Sequence, residues 1–358
     1  MTVDISESVE SAADAGLRYV SDEAPGIHRK RAGSGFSYFA ADGQRISDPA
    51  VLLRIKQLVI PPAWTDVWIC ADPGGHIQAT GRDARGRKVY LYHARWREVR
   101  DAAKYERLQA FGEALPRIRE RLEADLRRRG IPREKVLATV VKLLDETSIR
   151  IGNDEYFRKN GSVGLTTMSD DNARIEGGRL RFEFKGKSGK EHSVEVSDKR
   201  LARIVKDCQD IPGQELFQYV DENGDHHAIG SSDVNDYLQQ ISGSDFTAKD
   251  FRTWNGTVLA MRYLCECEAP TSATAGKRTV SSAIKSVAHE LGNTPAVCRK
   301  SYVHPVVMNA YLEGFLQPEA RPSEVKAAPG LSPEERSVLA LLKERATTAR
   351  RRRNKRAA

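Results

Sequence analysis

No apolar stretch in the sequence approaches the roughly 18 residues a membrane-spanning helix requires. The opening MTVDISESVESAAD is acidic, where a signal peptide would be basic and then apolar. Both absences point to a cytoplasmic chain. Cysteine is scarce. Cys70, Cys208, Cys265, Cys267 and Cys298 are odd in number and irregularly spaced, which argues against a disulfide framework. Cys265 and Cys267 lack the second pair a structural zinc site needs, so buried free thiols are expected, with no metal and no cofactor. An ATP-binding loop is also missing. GKS at 186–188 has Arg181 where that motif needs glycine, and it lies in a strand-turn-strand pattern instead of ahead of a helix.

Charge in the body of the chain is almost balanced. The formal net charge is +8, but Lys343 to Ala358 holds eight Lys or Arg against Glu344, a local +7 that leaves about +1 elsewhere. Net charge therefore says nothing about nucleic-acid binding by the folded part, which has to come from clustered basic residues. The tail itself reads as a disordered, nonspecific polyanion-binding arm.

Residues 1 to about 30 are polar and weakly patterned, as a loose arm would be. Strand signals follow to about His93: FSYFA, TDVWIC, HIQATG and KVYLYH, separated by ADG and DPGG turns. Period two places Val89 and Leu91 on one face of the last strand and Lys88, Tyr90 and Tyr92 on the other. A polar, aromatic sheet face beside the basic turn RDARGRK, with Arg85 and Arg87, suits contact with bases and phosphates; a solvated face of packed tyrosines explains it equally well. From Trp96 the pattern turns helical, in ALPRIRERLEADLRRRG and REKVLATVVKLLDETSIRIG, with stops at Gly130 and Gly152. RLRFEFKGKSGKEHSVEV reads as a hairpin from Arg179 to Val196. Helices are expected at 198–207, 231–241, 247–266, 280–291 and 295–315, then a short one in LSPEERSVLALLKERA. The fold class is α+β, in four parts: an arm (1–30), a small antiparallel sheet domain (31–98), a mainly helical domain containing the hairpin (99–316) and a basic C-terminal extension (317–358).

Five residues stand out, and each has an ordinary explanation alone. Arg150 offsets a helix dipole, Lys187 is a turn lysine, Arg252 stacks on an aromatic or pairs with Asp250, Asn293 caps a helix, and Tyr302 is a half-buried tyrosine inside the next one. Together they are an inventory for moving a phosphodiester onto a phenolic oxygen without a metal. Guanidinium groups neutralise the transition state, a general acid protonates the leaving 5′ oxygen, and tyrosine holds the covalent link.

DETSIRIGNDEY, FEFKGKSGK, TAKDFRTWNGT and VAHELGNTPAVCRKSYVHP resemble, in order and spacing, the catalytic segments of the type IB DNA topoisomerases, in their poxvirus-like and bacterial branch. VIPPAWTDVWIC and GHIQATGRDARGRKVYLYH resemble that branch's β domain, and the likeness runs from about residue 27 to 315. It implies a clamp around duplex DNA, a 3′-phosphotyrosyl intermediate on Tyr302, and relaxation of supercoils by a monomer without ATP. Arg150 and Arg252 match the arginines that hold the scissile phosphate, and Lys187 the hairpin lysine implicated with Arg150 in protonating the 5′ oxygen. Asn293 stands where poxviral and eukaryotic members have histidine, and Val89 where the family often has glutamine. Tyr90, Tyr92, Lys88, Arg87, Arg85, Tyr156, Arg299 and Lys300 are the DNA-contact candidates, and the cellular place implied is the nucleoid. A tyrosine recombinase and a noncatalytic DNA binder are the competing readings; the first is disfavoured because the chain begins with strands and not with helices.

Overall fold

The computed structural model describes residue 9 and residues 12–13, 15–84, 86–316 and 330–357. Arg85 lies outside them. Two compact units divide the chain after Tyr105.

The first unit is an antiparallel sheet of β1 (Ile27–Ala32), β2 (Gly35–Phe39), β3 (Thr65–Ile69), β4 (Ile77–Arg82) and β5 (Lys88–Tyr92), ordered β2-β1-β3-β4-β5. Its apolar face gathers Ile27, Val67, Ile69 and Ala79 around Ile55 of α1 (Pro49–Gln57). The strand signals leave α1 out, although Asp48 and Pro49 announce it: the Asp48 side chain accepts from the Ala50 amide and proline occupies the first helical position.

The opposite face corrects the expectation of a loose arm to residue 30. Residues 17–24 lie across it. Arg18 pairs with Gly75, Tyr19 stacks on His76 at 4.2 Å, the Val20 amide donates to His76 Nδ1, and Trp68 Nε1 donates to Ala24 O. Asp22 accepts from Thr80 Oγ1 and forms a 2.7 Å ion pair with Lys88. His76 and Thr80 are therefore buried, and the polar residues of this face serve as a packing surface for the strap.

The second unit is mainly helical. Phe111, Leu115, Ile118 and Leu122 of α2 (Ala94–Leu126) recur at helical spacing and share one core with Val136, Leu137, Val140 and Leu144 of α3 (Arg133–Thr147) and with Phe251 and Trp254. After α4 (Asp154–Asn160) comes the expected hairpin, β7 (Arg179–Lys185) and β8 (Glu191–Val196), joined at its β7 edge by β6 (Ala173–Glu176). Leading from it are α5 (Lys199–Gln209), the small hairpin β9 (Gln218–Val220) and β10 (His226–Ala228), α6 (Ser231–Ser242), α7 (Ala248–Cys265) and α8 (Ala273–Glu290). Helix α8 starts ahead of the expected residue 280 because Ser272 caps it by accepting from the Ala275 amide.

Two boundaries differ where it matters. Helix α3 stops at Thr147 on a left-handed Ser148 (φ 55°), so Arg150 lies in irregular chain beyond the helix and not in its last turn. The expected single helix 295–315 is two, α9 (Pro295–Ser301) and α10 (Pro305–Leu312). Pro305 has no amide hydrogen and bars its predecessor from helical backbone, so the break falls at Tyr302–His304.

The basic tail is helical as well, which corrects the disordered arm: α11 runs Pro333–Ala357. Its first turns bury Val338 and Leu342 in the core, while Glu335, 6% exposed, accepts from Trp254 Nε1 and pairs with Arg119, which also forks onto Asp145. Burial pushes the Glu335 carboxyl up, but Arg119, the Ser332 amide and Trp254 together hold it below the ordinary range. Truncating one partner of a buried ion pair costs about 3–5 kcal/mol. Glu335→Ala is expected to lower the thermal midpoint by roughly 6–20 °C, and Glu335→Gln, which keeps an acceptor for Trp254, by less. A scan showing an unchanged midpoint for the alanine protein would mean that α11 is not docked.

Candidate active site

Four of the five singled-out residues meet at one place. Arg252 is on the inner face of α7, 5% exposed; its Nη1 donates to Ser148 O and its Nη2 to Leu291 O at 2.8 Å. The left-handed turn at Ser148 thus aims a carbonyl at one arginine and sends the chain on to the other. Arg150 is held in turn by Leu165 and Thr166 amides that donate to the carbonyls of Arg150 and Ile151. Its Nη2 donates to Asn293 Oδ1 at 2.5 Å, and Asn293 sits behind a left-handed Gly292 (φ 61°) that ends the α8 turn. Asp250, the alternative partner for Arg252, is taken by Arg107 and by the α7 cap at Thr247.

Tyr302 caps α9 with φ −127° and ψ −14°, outside helical geometry. The Arg252 guanidinium lies 5.1 Å from the centre of its ring. Thr257 Oγ1 donates to its carbonyl, and a side-chain carbon on Gly256 would stand 2.7 Å from that same oxygen, so glycine is what lets α7 run against the tyrosine. Neighbouring His304 is occupied with capping α10 through the Val306 amide.

Burial lowers the affinity of both guanidinium groups for their protons. For Arg252 the value falls to about 10, first because it is desolvated and then because Arg150 is close; Tyr302 offsets part of this for both. Two cations held together out of water are a site arranged for an anion. The unpartnered buried atoms agree: Arg252 Nε, Asn293 Nδ2 and His192 Nε2 have no hydrogen-bond partner, and Arg252 and His192 line one pocket with Arg150. Because Arg150 donates to Asn293 Oδ1, the amide's N–H side is the free one.

Lys187 is not part of this contact set. It opens the short 3₁₀ turn Lys187–Gly189 at the hairpin tip, exposed, with Nζ 5.9 Å from the ring centre of Tyr156, itself 60% exposed on α4. Arg299 and Lys300 are exposed in the last turn of α9, just before Tyr302. On the first unit Tyr90 (43% exposed) and Tyr92 stack at 5.9 Å, Lys88 is paired with Asp22, and Arg87 with Asp83 at 2.6 Å.

His192 is the site residue that the sequence reading passes over. It lies on the inward face of β8, where Val194 and Val196 follow at period two, opposite Phe184. A histidine in an otherwise apolar alternation is the signal that was there to read.

Two arginines on one pocket, with an amide and a phenol in contact with them and a lysine on an adjoining hairpin, are groups suited to phosphodiester transfer. Comparison with known proteins agrees. The family described as "Eukaryotic DNA topoisomerase I, catalytic core" matches residues 93–327, and "Bacterial DNA topoisomerase IB, N-terminal domain" matches 35–83. The DNA topoisomerase 1B of Acanthamoeba polyphaga mimivirus is 31% identical over 293 residues, covering 80% of this chain and 87% of that protein. The DNA topoisomerase 1B of Vaccinia virus (strain Copenhagen) is 22% identical over 231 residues, 64% of this chain and 70% of that one.

The chain belongs to the type IB DNA topoisomerases, with the N-terminal domain of their bacterial branch. It relaxes supercoiled duplex DNA by transient cleavage of one strand through a 3′-phosphotyrosyl intermediate, without metal or ATP, as is characteristic of that family.

Proposed function

We propose that Tyr302 is the nucleophile of this reaction, that Arg150, Arg252 and the Asn293 amide hold the scissile phosphate, and that Lys187 delivers the proton to the leaving group. The observation that carries the assignment is that Arg150 and Arg252 line one pocket, Arg150 in contact with Asn293 and Arg252 with the ring of Tyr302, with donor hydrogens left unpaired. The Tyr302 phenol loses its proton to solvent as its oxygen attacks phosphorus and the bond to O5′ breaks, and the leaving oxygen keeps that bond's electron pair and takes a proton from Lys187. Charge grows on the non-bridging oxygens as this happens. Fixed guanidinium groups, already desolvated, stabilise it without reorganising. Resealing is the reverse: the 5′ hydroxyl attacks the ester, so the energy of the broken bond stays on Tyr302 and no ATP is needed. Asn293 donates a hydrogen bond but carries no proton, which leaves acid catalysis to the cations.

The sheet unit is proposed to contact DNA through Tyr90, Tyr92, Lys88, Arg87 and Arg85, and the helical unit through Tyr156, Arg299 and Lys300. One protein molecule would grip the duplex with both units. A phosphate reaching Lys88 competes with Asp22, which already supplies an oxyanion there. The run of arginines late in α11 adds sequence-independent binding that weakens with salt. No described helix is long and apolar enough to cross a membrane, and the place proposed for the protein is the nucleoid in the cytoplasm.

Lys187 is tested by the leaving group. In a substrate whose bridging 5′ oxygen is replaced by sulfur, the departing thiolate has a pKa near 8.5 and needs no proton. Lys187→Ala is expected to slow single-turnover cleavage of ordinary DNA about 10²–10⁴-fold, the range of a general acid. It should cleave the sulfur substrate at close to the wild-type rate. Equal slowing on both substrates would remove Lys187 from the acid role.

A further inference from the structure

His192 is built into the hairpin that carries Lys187, and it touches the site from that side. Its ring stacks on Phe184 at 5.0 Å and 11° between planes, inside the β7–β8 ladder. On its two edges are glycines. A side-chain carbon on Gly186, the residue before Lys187, would stand 2.8 Å from His192 Cδ2, and one on Gly292, the residue before Asn293, would collide with Cε1. The imidazole therefore fills the space between the base of the Lys187 turn and the turn that presents Asn293. A second tie runs alongside: Lys190 Nζ donates to Asn293 O at 3.1 Å, and Gly186 N donates to Lys190 O across the hairpin.

We infer that His192 is a positioning residue: wedged between Gly186 and Gly292, it docks the β7–β8 hairpin on the Asn293 turn and so sets where Lys187 can deliver its proton. The inference rests on the acid role proposed for Lys187. It assigns His192 no contact with the reacting atoms, and the ring fills the space that a side-chain carbon at 186 or 292 would need.

The charges around the ring give the docking a pH dependence. Facing it are Arg150 from the segment after α3, Arg252 from α7 and Lys190 from its own hairpin. Glu290, at the end of α8, lines the same pocket but is engaged by Tyr263 and Arg262. Burial first, then Arg150, Arg252 and Lys190, lower the proton affinity of His192 below its ordinary value. A group whose docked value is depressed stabilises the docked form fully above its free value. That support is lost as pH falls through about 6.5 toward the docked value.

The test compares cleavage of ordinary DNA and of the 5′-sulfur substrate by the wild type, His192→Ala, Lys190→Ala and Lys187→Ala. Misplacing a catalytic group by about 1 Å costs on the order of 10²-fold. His192→Ala is expected to slow ordinary cleavage by roughly that factor while cleaving the sulfur substrate at near the wild-type rate, with DNA binding unchanged. Lys190→Ala should show a smaller loss with the same rescue, which keeps the test open if His192→Ala folds poorly. In the wild type the ordinary-to-sulfur rate ratio should fall below about pH 6.5, and in His192→Ala it should be flat. If His192→Ala slows both substrates alike while Lys187→Ala is rescued by sulfur, the inference is overturned alone. If Lys187→Ala is not rescued, the acid role fails and this inference falls with it.

Discussion

A Tyr302→Phe protein is expected to fold, to bind duplex DNA as the wild type does, and to relax none of it. The backbone of Tyr302 is fixed by Thr257, by the hydrogen bond its amide donates to Cys298 O and by the close passage of Gly256, none of which involves the hydroxyl. The ring's contact with the Arg252 guanidinium remains in the phenylalanine protein, while the hydroxyl's hydrogen bonds to Arg150 and Arg252 are lost. Losing one hydroxyl from a half-buried ring should therefore leave the thermal midpoint within a few degrees. The reaction, by contrast, loses the phenol oxygen proposed to attack phosphorus. Deleting a covalent nucleophile costs on the order of 10⁶ in rate, below the detection limit of a plasmid assay. A gel-shift titration beside the relaxation assay separates the two effects. Relaxation by the phenylalanine protein at even a hundredth of the wild-type rate would remove Tyr302 from the role assigned to it.

Arg252→Ala is the second large effect, and its two consequences go in different directions. The guanidinium is nearly fully buried, its proton affinity lowered to about 10 by desolvation and by Arg150, so its charge is held at a cost to the folded state. Removing it relieves that cost but leaves Ser148 O and Leu291 O without their donor. The net change in stability is expected to be small. Cleavage should fall about 10³–10⁵-fold, the worth of an arginine that stabilises a phosphoryl transition state. Arg252→Lys should not restore it: an ammonium cannot bond two backbone carbonyls and still turn an N–H to the phosphate, as the fork of Arg252 can through Nε. Single-turnover cleavage with a thermal scan checks both halves. A lysine protein of near wild-type rate would mean that charge alone matters at this position.

How much of this was legible in the sequence differs from element to element. The hairpin at Arg179–Val196 and the helix carrying Arg252 are readable because alternation and helical spacing are local properties. The break at Tyr302 was not taken from periodicity, since apolar positions continue through VCRKSYVHPVVMNAYL; only Pro305 marks it. That break is what releases the tyrosine from a regular helix. The end of α3 was placed at Gly152, yet Ser148 takes the left-handed position, and no propensity favours serine there. The N-terminal strap reads as a loose arm because Tyr19 and Asp22 find their partners more than fifty residues away, at His76 just ahead of β4 and at Thr80 and Lys88 on β4 and β5. For α11, the density of charge outweighed the helix-forming character of leucine, arginine, lysine and alanine, and nothing local shows that Glu335 meets Arg119. His192 needed the fold, because its partners Gly186 and Gly292 come together only when the hairpin docks.

The central claim is a covalent link between Tyr302 and a DNA 3′ phosphate, made without metal or ATP. The most direct measurement traps it: a short duplex whose cleaved strand loses its downstream fragment, mixed with the protein in EDTA without ATP, then digested and mapped by mass spectrometry. The account predicts one modified peptide, carrying a 3′-phosphoryl nucleotide on Tyr302, and a released fragment with a free 5′ hydroxyl. An adduct on another residue, a link to a 5′ phosphate, or an adduct that forms only when magnesium is added would contradict it.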